Sequence, residues 1–512
     1  MLLRVLAALV LALAATVGTW RVAGSSTPVA SPPRYLVLIV MDGFREDYLK
    51  LAPMHHLHQL MARGRFYHNG WVGQLQSETP ASHATLATGV YPSKHGVIGF
   101  GWRDAKSGTF TFMPTNLGQI QAGELTQTIE QGGVPTISDL IHARNRHDLA
   151  VSVSGEKLWA SAPMGTGADY VLYGRMTATK PKEFAPLAVG PNFPPARTHY
   201  LSVHKPDGAF DTQDDFAAKL AVKLVDALHP RALLLNLPAI DIAGHYYGGL
   251  AHPKDMARVA READAAIGKV VAEYKKLGIL KRTVFVVTAD HGMVSGYHRV
   301  PIHSIYKAVG HSNISELDED LQSSIGSIWL HNPAQAQALG KTLAADHFPG
   351  VEGALYKVAS GNGWKFAAEP STAAHLPPAV LRAYLHLADT EASSNGADVL
   401  LPYAENTVGL QIKKSFKGMH GGFSWGAQHI PLVIAGPGVR KGSSNFPVKL
   451  VDITPTMERL IGLKVPAGVD GVVLGDALTG ATAADLAAQR AVEPSRMADI
   501  HALEAHSAAQ SR

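Results

Sequence analysis

Five short apolar runs alternate with segments of helical periodicity along most of this chain. They are Tyr35–Val40, Leu149–Val153, Ala232–Leu237, Thr283–Thr288 and Ile430–Ala435. A continuous apolar run is typical of a strand that is buried on both faces of a parallel sheet. The pattern therefore predicts an α/β fold with a mostly parallel central sheet flanked by helices on both faces.

The segments between these runs predict helices. They are Tyr48–Ala62, Thr136–His142, Phe216–Leu228, Met256–Leu277 and a helix opened by Asp452-Ile453-Thr454-Pro455, with Thr454 as its cap. A further helix, within residues 77–89, has both ends marked: Thr79 as N-cap, Pro80 as first helical residue and Gly89 as its end. A hydroxyl there lies beside unpaired N–H groups, where an alkoxide or phosphate is stabilised. Taken alone, an ordinary helix cap is the better interpretation of Thr79.

Residues 295–408 break the strand-and-helix pattern with short alternating segments and a stretch rich in Pro and Ala. We interpret them as an inserted cap subdomain near the active face. Residues 34–294 and 409–478 are then the two parts of one catalytic domain. Residues 479–512, rich in Ala, His and charge, are expected to form a peripheral helix or a disordered tail.

The N-terminus carries a targeting pattern over residues 1–25, followed by a spacer at 26–33. Arg4 precedes an apolar run from Val5 to about Val17. This run is short for a stable membrane span, so a cleaved signal peptide is favoured over an N-terminal anchor. We expect a secreted or periplasmic bacterial protein with no membrane contact beyond that segment.

The composition narrows the available chemistry. The 512 residues are 46% apolar and 17% charged, which describes a globular protein. A net charge of +4 over this length does not predict binding to a nucleic-acid polymer. The chain has no cysteine and 25 histidines. Disulfides and thiolate metal sites are therefore excluded, and Asp, Glu and His remain as ligands.

Candidate ligands lie where predicted strands end, or in loops beside them: Asp42, Asp241, His245, Asp290, His291 and His420. Taken singly, each has an ordinary interpretation as a turn, surface or core residue. The carboxyl ends of parallel strands meet at one edge of a sheet, where ligands bind. With the Thr79 oxygen there are seven groups, which suit two metal ions, either zinc or manganese.

These residues belong to an ordered set of motifs. The set is Met41-Asp42-Gly43, Thr79…Thr88-Gly89…Tyr91-Pro92…His95-Gly96, Asp241…Gly244-His245, Ala289-Asp290-His291-Gly292 and Met419-His420-Gly421-Gly422. It resembles the alkaline phosphatase superfamily, and most closely its type I phosphodiesterase/nucleotide pyrophosphatase branch. The resemblance runs from about Tyr35 to Leu474, apart from the inserted region.

The resemblance implies two Zn²⁺ ions, although other divalent metals remain open. One zinc would be bound by Asp42, Asp290 and His291 and would activate Thr79, and the other by Asp241, His245 and His420. It further implies that Thr79 attacks phosphorus and forms a phospho-threonine intermediate.

Two departures from the family pattern concern substrate binding. Phe100 stands where the phosphodiesterase branch usually has an Asn that contacts a phosphoryl oxygen. Related phosphomonoesterases carry a Lys-x-Arg pair after the second strand, and here only Lys157 could serve. Phe100 and Trp102 either form a wall for the leaving group or pack in the core.

We therefore expect an exported zinc-dependent hydrolase that acts on a small-molecule phosphoester or nucleotide. An alkaline phosphomonoesterase of the same superfamily is the alternative, followed by a catalytically inactive binding homologue. A sulfatase is disfavoured because Thr79-Pro80-Ala81-Ser82-His83 lacks the Cys/Ser-x-Pro-x-Arg pattern.

Overall fold

The computed structural model describes residues 34–113, 120, 123–176, 199–205, 212–309, 317–321, 323–409 and 416–511. The predicted signal peptide or anchor at 1–25 and the spacer at 26–33 lie outside these residues. Among the described residues, no helix combines the length and the apolar character needed to cross a membrane.

Two larger sheets contain strands β1 (Tyr35–Met41), β2 (Arg65–Tyr67), β3 (Ala150–Ser154), β4 (Tyr170–Met176), β5 (His199–Lys205), β6 (Ala232–Leu237), β7 (Thr283–Thr288), β8 (Leu317–Asp320), β9 (Ile325–Leu330), β10 (Leu355–Ser360), β11 (Gly363–Ala368), β12 (Val399–Pro402), β13 (Leu432–Ala435) and β14 (Gly442–Ser444). The central sheet has the order β14-β2-β13-β7-β1-β6-β3-β4-β5. Six of its eight neighbouring pairs are parallel, which confirms the predicted α/β fold.

Strand β1 lies at the centre of this sheet because its residues are apolar on both faces. All seven are buried, and Leu38 pairs with Val286 of β7 on one side and Leu234 of β6 on the other. The same burial holds along the whole of β6 and β7. The carboxyl ends of these three strands therefore reach one edge of the sheet together.

The fifth predicted strand differs from the prediction in direction. Strand β13 is antiparallel to both β7 and β2. The chain reaches it from His420, which lies at the carboxyl edge, through only the short helix Trp425–Gln428. Without a crossover helix to bring it back to the opposite edge, the strand runs in the reverse direction. Four further strands of the central sheet were not predicted: the short strands β2 and β14, and the strands β4 and β5.

The helices are α1 (His55–Arg63), α2 (Thr79–Thr88), α3 (Pro92–His95), α4 (Glu124–Glu130), α5 (Ile137–Arg144), α6 (Leu158–Met164), α7 (Thr212–Leu228), α8 (Ala239–Tyr247), α9 (Pro253–Lys276), α10 (Ile302–Ala308), α11 (Ala336–Ala345), α12 (Pro370–His375), α13 (Pro378–Ala388), α14 (Trp425–Gln428), α15 (Ile453–Leu460) and α16 (Ala483–Gln510). Helix α9 packs against α1, α7 and α8, and α2 packs against α5, α6 and α15. These two groups of helices flank the central sheet.

The second sheet is antiparallel and has the order β8-β9-β12-β10-β11. It lies wholly within residues 295–408 and has its own apolar cluster, which includes Ile328, Leu343 and Tyr403. Two short strand pairs lie where this segment leaves and rejoins the rest of the chain. Val294–Ser295 pairs with Gly418–Met419 at its boundary, and His298–Arg299 pairs with Thr407–Val408 just inside it.

Most of the C-terminal segment 479–512 is the helix α16. Thr482 caps it through a reciprocal bond with Asp485. Its Arg496 forms a buried ion pair with Asp452, at 2.5 Å between Nη1 and Oδ2. The helix also packs against α13, so the C-terminal segment contacts both the catalytic region and residues 295–408.

Candidate active site

Helix α2 carries Thr79 at its buried N-terminus. The helix begins at Thr79, and the N-cap is Glu78, whose backbone is extended at φ −129° and ψ 150°. The sequence prediction of Thr79 as the cap is therefore wrong by one residue, because Glu78 is the last residue outside helical geometry. Gly89 ends the helix in the left-handed region at φ 72°, as predicted. The N-cap of α15 is likewise earlier than predicted, by two residues: it is Asp452 rather than Thr454.

Four side chains meet around the Nε2 atom of His291, and we name them the first ligand set: Asp42, Thr79, Asp290 and His291. The Nε2 atom lies 3.3 Å from Thr79 Oγ1, 3.3 Å from Asp290 Oδ2 and 3.5 Å from Asp42 Oδ1. All four residues are fully buried. Gly43, at φ +72°, turns the chain after β1 so that its N–H donates to Asp290 Oδ1 at 3.1 Å.

The second ligand set is Asp241, His245 and His420. Helix α8 places Asp241 and His245 four residues apart on one face. The Oδ1 atom of Asp241 lies 3.3 Å from His245 Nε2 and 3.5 Å from His420 Nε2. The rings of His291 and His420 stack at 3.6 Å between centroids, so the two sets adjoin. The structure thus brings together all seven residues that the sequence analysis proposed.

The three histidines have one tautomer in common, fixed by their backbone partners. Nδ1 of His245 donates to Gly418 O at 2.8 Å, that of His291 to Gly292 O at 2.9 Å, and that of His420 to Ser77 O at 3.2 Å. A carbonyl oxygen only accepts, so each Nδ1 carries a proton and each ring directs its Nε2 atom into the site. This arrangement is typical of metal-binding histidine.

The spacing of the donor atoms fits a tetrahedral cation. Bonds of about 2.0–2.1 Å to a tetrahedral Zn²⁺ place neighbouring ligand atoms about 3.3–3.4 Å apart, which matches the distances in both sets. The buried atoms Asp241 Oδ1 and Asp290 Oδ2 accept no hydrogen bond from any described residue. Such orphaned buried carboxylate oxygens are expected where an ion completes their coordination.

Burial and mutual repulsion shift the pKa values of these groups. Burial, with Asp42 close by, raises the pKa of Asp290 to about 8. Burial also lowers the pKa of His291, and burial together with the His291 ring holds the pKa of His420 well below its usual value. Neutral imidazoles are the form that binds metal, and a cation would favour the ionised carboxylate.

Lys157 lies between the two ligand sets. Its Nζ donates to Asp42 Oδ1 at 2.8 Å and to Asp241 Oδ2 at 2.6 Å, and its side chain is buried. Burial disfavours its charge, but Asp241 and Asp42 outweigh that effect and raise the pKa of Lys157. The lysine proposed as a phosphate ligand therefore reaches the site, but two of its three protons are bound to carboxylates.

Phe100 lies at the edge of the second ligand set, half-buried and 6.4 Å from the His420 ring between centroids. Its N–H donates to Glu78 Oε2 at 3.1 Å. Trp102, by contrast, is buried in an apolar cluster with Val97 and Ile129, so of its two interpretations core packing is confirmed.

Sequence reasoning missed two buried residues that contact the first ligand set, Asn236 and His83. The Asn236 amide donates to Asp42 Oδ2 at 2.7 Å, and the His83 ring bonds Thr79 O at 2.8 Å. The available signal for Asn236 was its place as the single polar residue of the run ALLLNL. Nothing in the pattern around His83 distinguished it from an ordinary core histidine.

Comparisons with known proteins identify the family of this chain. The family model described as type I phosphodiesterase/nucleotide pyrophosphatase matches residues 36–368. The chain belongs to this family. It is a hydrolase that acts on phosphoester or pyrophosphate bonds, from a metalloenzyme family of the alkaline phosphatase superfamily.

Among similar proteins, the mouse bis(5′-adenosyl)-triphosphatase enpp4 is 24% identical over 440 residues, covering 85% of this chain and 79% of the relative. An inactive threonine-to-alanine variant of murine ectonucleotide pyrophosphatase/phosphodiesterase 5, in complex with AMP, has a TM-score of 0.58 at 16% identity and covers 85% and 96% of the two chains. The alkaline phosphatase PafA has a TM-score of 0.61 at 15% identity, covering 88% and 99%. These two structures share the fold.

Proposed function

We propose that this protein is an exported zinc-dependent phosphodiesterase or nucleotide pyrophosphatase in which Thr79 is the nucleophile. The observation that carries the proposal is the common orientation of His245, His291 and His420, whose Nε2 atoms face carboxylate and hydroxyl oxygens at 3.3–3.5 Å. The inactivity of a threonine-to-alanine variant of the murine relative supports a role for threonine in this family.

The first ligand set would hold one zinc ion and the second ligand set another. Zinc bound at these positions supplies Lewis-acid stabilisation of the developing charge and lowers the pKa of a bound hydroxyl or water. Asp290, whose pKa is raised by burial and by Asp42, would bind such an ion as the ionised carboxylate.

Thr79 attacks the phosphorus of the ester in line with the leaving alcohol. The bond from Thr79 Oγ1 to phosphorus forms as the bond to the leaving oxygen breaks, and the hydroxyl proton is balanced by the proton that the leaving alcohol gains. Water then hydrolyses the phospho-threonine and restores the hydroxyl. Because Oγ1 is buried at the start of α2, its position is fixed before substrate arrives.

The first turn of α2 offers donors for the nonbridging oxygens. Pro80 has no N–H, and the N–H of Ser82 donates to Glu78 O at 3.0 Å. The N–H groups of Thr79 and Ala81 belong to the first turn, where N–H groups have no partner within the helix. The positive end of the helix dipole adds to this stabilisation.

A diester is favoured over a monoester because the site offers few further donors. Phe100 has no polar side chain, and the ammonium of Lys157 is engaged by Asp42 and Asp241. A dianionic monoester needs more compensating charge than a monoanionic diester. The third proton of Lys157 is the observation that favours the alternative, an alkaline phosphomonoesterase.

The test compares bis-p-nitrophenyl phosphate with p-nitrophenyl phosphate on protein purified without tag histidines. We expect faster turnover, as kcat/KM, on the diester. A faster monoester rate would replace the proposal by the phosphomonoesterase. If metal-loaded protein turns over neither ester, the chain is the catalytically inactive binding homologue.

Phe100 is the position at which this preference can be changed. Phe100→Asn introduces an amide donor beside His420 without touching either ligand set, and Phe100→Leu is the matched control without a donor. We expect the Asn variant to raise the monoester rate relative to the diester rate by about tenfold, the value of one charge-assisted hydrogen bond. If both variants have the same ratio of monoester to diester rate, Phe100 does not determine the substrate preference of the site.

We also propose that residues 295–408 act as a cap subdomain that steadies the loops around the site. Ser323 Oγ donates to His420 O at 2.6 Å, and Gln76 Nε2 donates to Ser327 Oγ at 3.1 Å. Leu75 N donates to Thr390 Oγ1 at 3.0 Å. These bonds join the cap to the segment before Thr79 and to a residue of the second ligand set.

Export is proposed from the pattern of residues 1–25. Expression of the full chain in a bacterium, followed by periplasmic extraction and determination of the N-terminal sequence, tests it. We expect a mature N-terminus near residue 25. Intact protein in the cytosolic fraction would contradict export.

A further inference from the structure

Asn236 is a buried amide at the carboxyl end of β6, in the centre of the sheet edge that carries the site. It pairs with Val40 of β1 on one side and Ser154 of β3 on the other. Its side chain is fully buried, so each of its polar atoms needs a partner.

The amide forms three hydrogen bonds. Its Nδ2 donates to Asp42 Oδ2 at 2.7 Å and to His83 Nε2 at 3.1 Å, and its Oδ1 accepts from Ser154 Oγ at 2.7 Å. Asp42 fixes this orientation, because the reversed amide would set an oxygen against a carboxylate oxygen. Asn236 thereby holds one oxygen of Asp42, and Lys157 holds the other.

His83 continues the chain of bonds to the nucleophile. Because its Nε2 accepts from Asn236, its Nδ1 carries the proton and donates to Thr79 O at 2.8 Å. The same Nδ1 lies 3.5 Å from Asp290 Oδ2, too far for a strong hydrogen bond. The ring is fully buried and neutral in this arrangement.

We propose that Asn236 is a positioning residue that fixes the metal-binding carboxylate of Asp42 and, through His83, the first turn of the nucleophile helix. The inference rests on the proposed function, because it assigns Asp42 to a metal ion and Thr79 to catalysis. One amide thus sets the spacing between a ligand and the nucleophile, which lie 37 positions apart in the sequence.

The two branches of this network have separate tests. Asn236→Leu keeps the approximate side-chain volume and removes all three bonds. Loss of a group that supports a metal ligand typically weakens metal binding or activity about 10–100-fold. We expect zinc dissociation, measured by competition with a chelator, to become about 10–100-fold more favourable, with kcat reduced and KM for bis-p-nitrophenyl phosphate within about twofold.

The His83 branch is tested with two partial mimics. His83→Asn can retain the donor to Thr79 O but loses the contact with Asn236, whereas His83→Gln can retain that contact but loses the donor. Since positioning requires both bonds, we expect each variant to lower kcat about tenfold or more. Zinc affinity should stay within about threefold of the wild type, because His83 acts on the nucleophile rather than on the metal. Wild-type kcat in either variant would show that His83 does not position Thr79.

Thr288→Val is the control for the loss of a buried polar group at the same register position of the sheet. Thr288 pairs with Val40, as Asn236 does, and its hydroxyl donates to Pro431 O at 2.9 Å, outside the network. We expect it to lower the melting temperature without changing zinc affinity.

Wild-type zinc affinity and kcat in Asn236→Leu would overturn the inference. If Asn236→Leu does not fold, the two His83 variants decide the matter. Failure of the wild-type protein to bind zinc would instead overturn the proposed function.

Discussion

The two ligand sets differ in how the fold encloses them. Every member of the first ligand set is fully buried and follows a central strand or begins a buried helix. In the second ligand set, His245 keeps 14% of its side chain exposed, and His420 lies on a loop after residues 295–408. The ring of Phe416 stacks on His245 at 5.0 Å between centroids.

This difference assigns different tasks to the two sets. The closed first ligand set is suited to hold a nucleophile in one position, which favours in-line attack. We expect the leaving group of a substrate to lie on the side of His245, which is partly exposed. Substrate preference is therefore expected to depend on the second ligand set and its surroundings.

The largest effect is expected from Thr79→Ala. The variant removes the attacking oxygen from the first ligand set and leaves its three other ligands, so turnover of bis-p-nitrophenyl phosphate should fall by about 10³-fold or more. Metal content, measured by mass spectrometry of the elements, should stay at the wild-type level. Thr79→Ser, which retains a hydroxyl, is the control and should keep measurable turnover. Wild-type turnover in the alanine variant would remove Thr79 from its role.

Alanine variants of His245 and His291 compare the two sets directly. Each variant removes a ligand, so each should lose more activity than the loss of about 10–100-fold that is typical when a supporting residue is removed. Added imidazole should restore part of the activity of His245→Ala, since that side chain is partly exposed, and none of the activity of His291→Ala, which is fully buried. Equal rescue would show that the first ligand set is as open as the second.

Lys157→Met removes the charge that both sets share. Because Nζ binds carboxylates of both sets, we expect kcat/KM to fall about tenfold for the diester and the monoester alike. The sequence alone predicts a selective loss on monoesters. If only the monoester rate falls, Lys157 contacts the phosphate and the shared role is wrong.

Glu458 is a buried carboxyl outside both ligand sets. Burial raises its pKa to about 8, and neither of its carboxyl oxygens accepts a hydrogen bond from a described residue. The folded protein therefore binds this proton more tightly than the unfolded chain. The stabilisation is fully present below about pH 4.5 and is lost as the pH rises through about 8.

Glu458→Gln should remove this dependence. We expect a melting temperature that is a few degrees higher than that of the wild type at pH 9 and unchanged at pH 5. Parallel melting curves of the two proteins across this range would contradict the raised pKa.

Much of the first ligand set follows from local pattern. Asp42 and Asp290 follow apolar runs that are buried on both faces, and such runs end at one edge of a parallel sheet. In the second ligand set, Asp241 and His245 follow another such run, although the helix that carries them was not predicted. These signals lie within a few residues of the groups they identify.

The parts that the sequence did not reveal depend on long-range contacts. The partners of Lys157 lie 115 and 84 positions away, and those of Asn236 lie up to 194 positions away. The direction of β13 depends on the edge of the sheet from which the chain enters it after His420. Hydrophobic periodicity carries no information on such pairings, so it predicted the ligands but not the residues that hold them.

The most direct test of the account is the number of metal ions bound by the wild-type protein. The full chain, purified without tag histidines and dialysed against buffer with micromolar zinc, should contain close to two zinc ions per chain by elemental mass spectrometry. Turnover should be lost on chelation and return as the second ion binds. Less than one ion per chain, with turnover unaffected by chelation, would contradict the two-metal site.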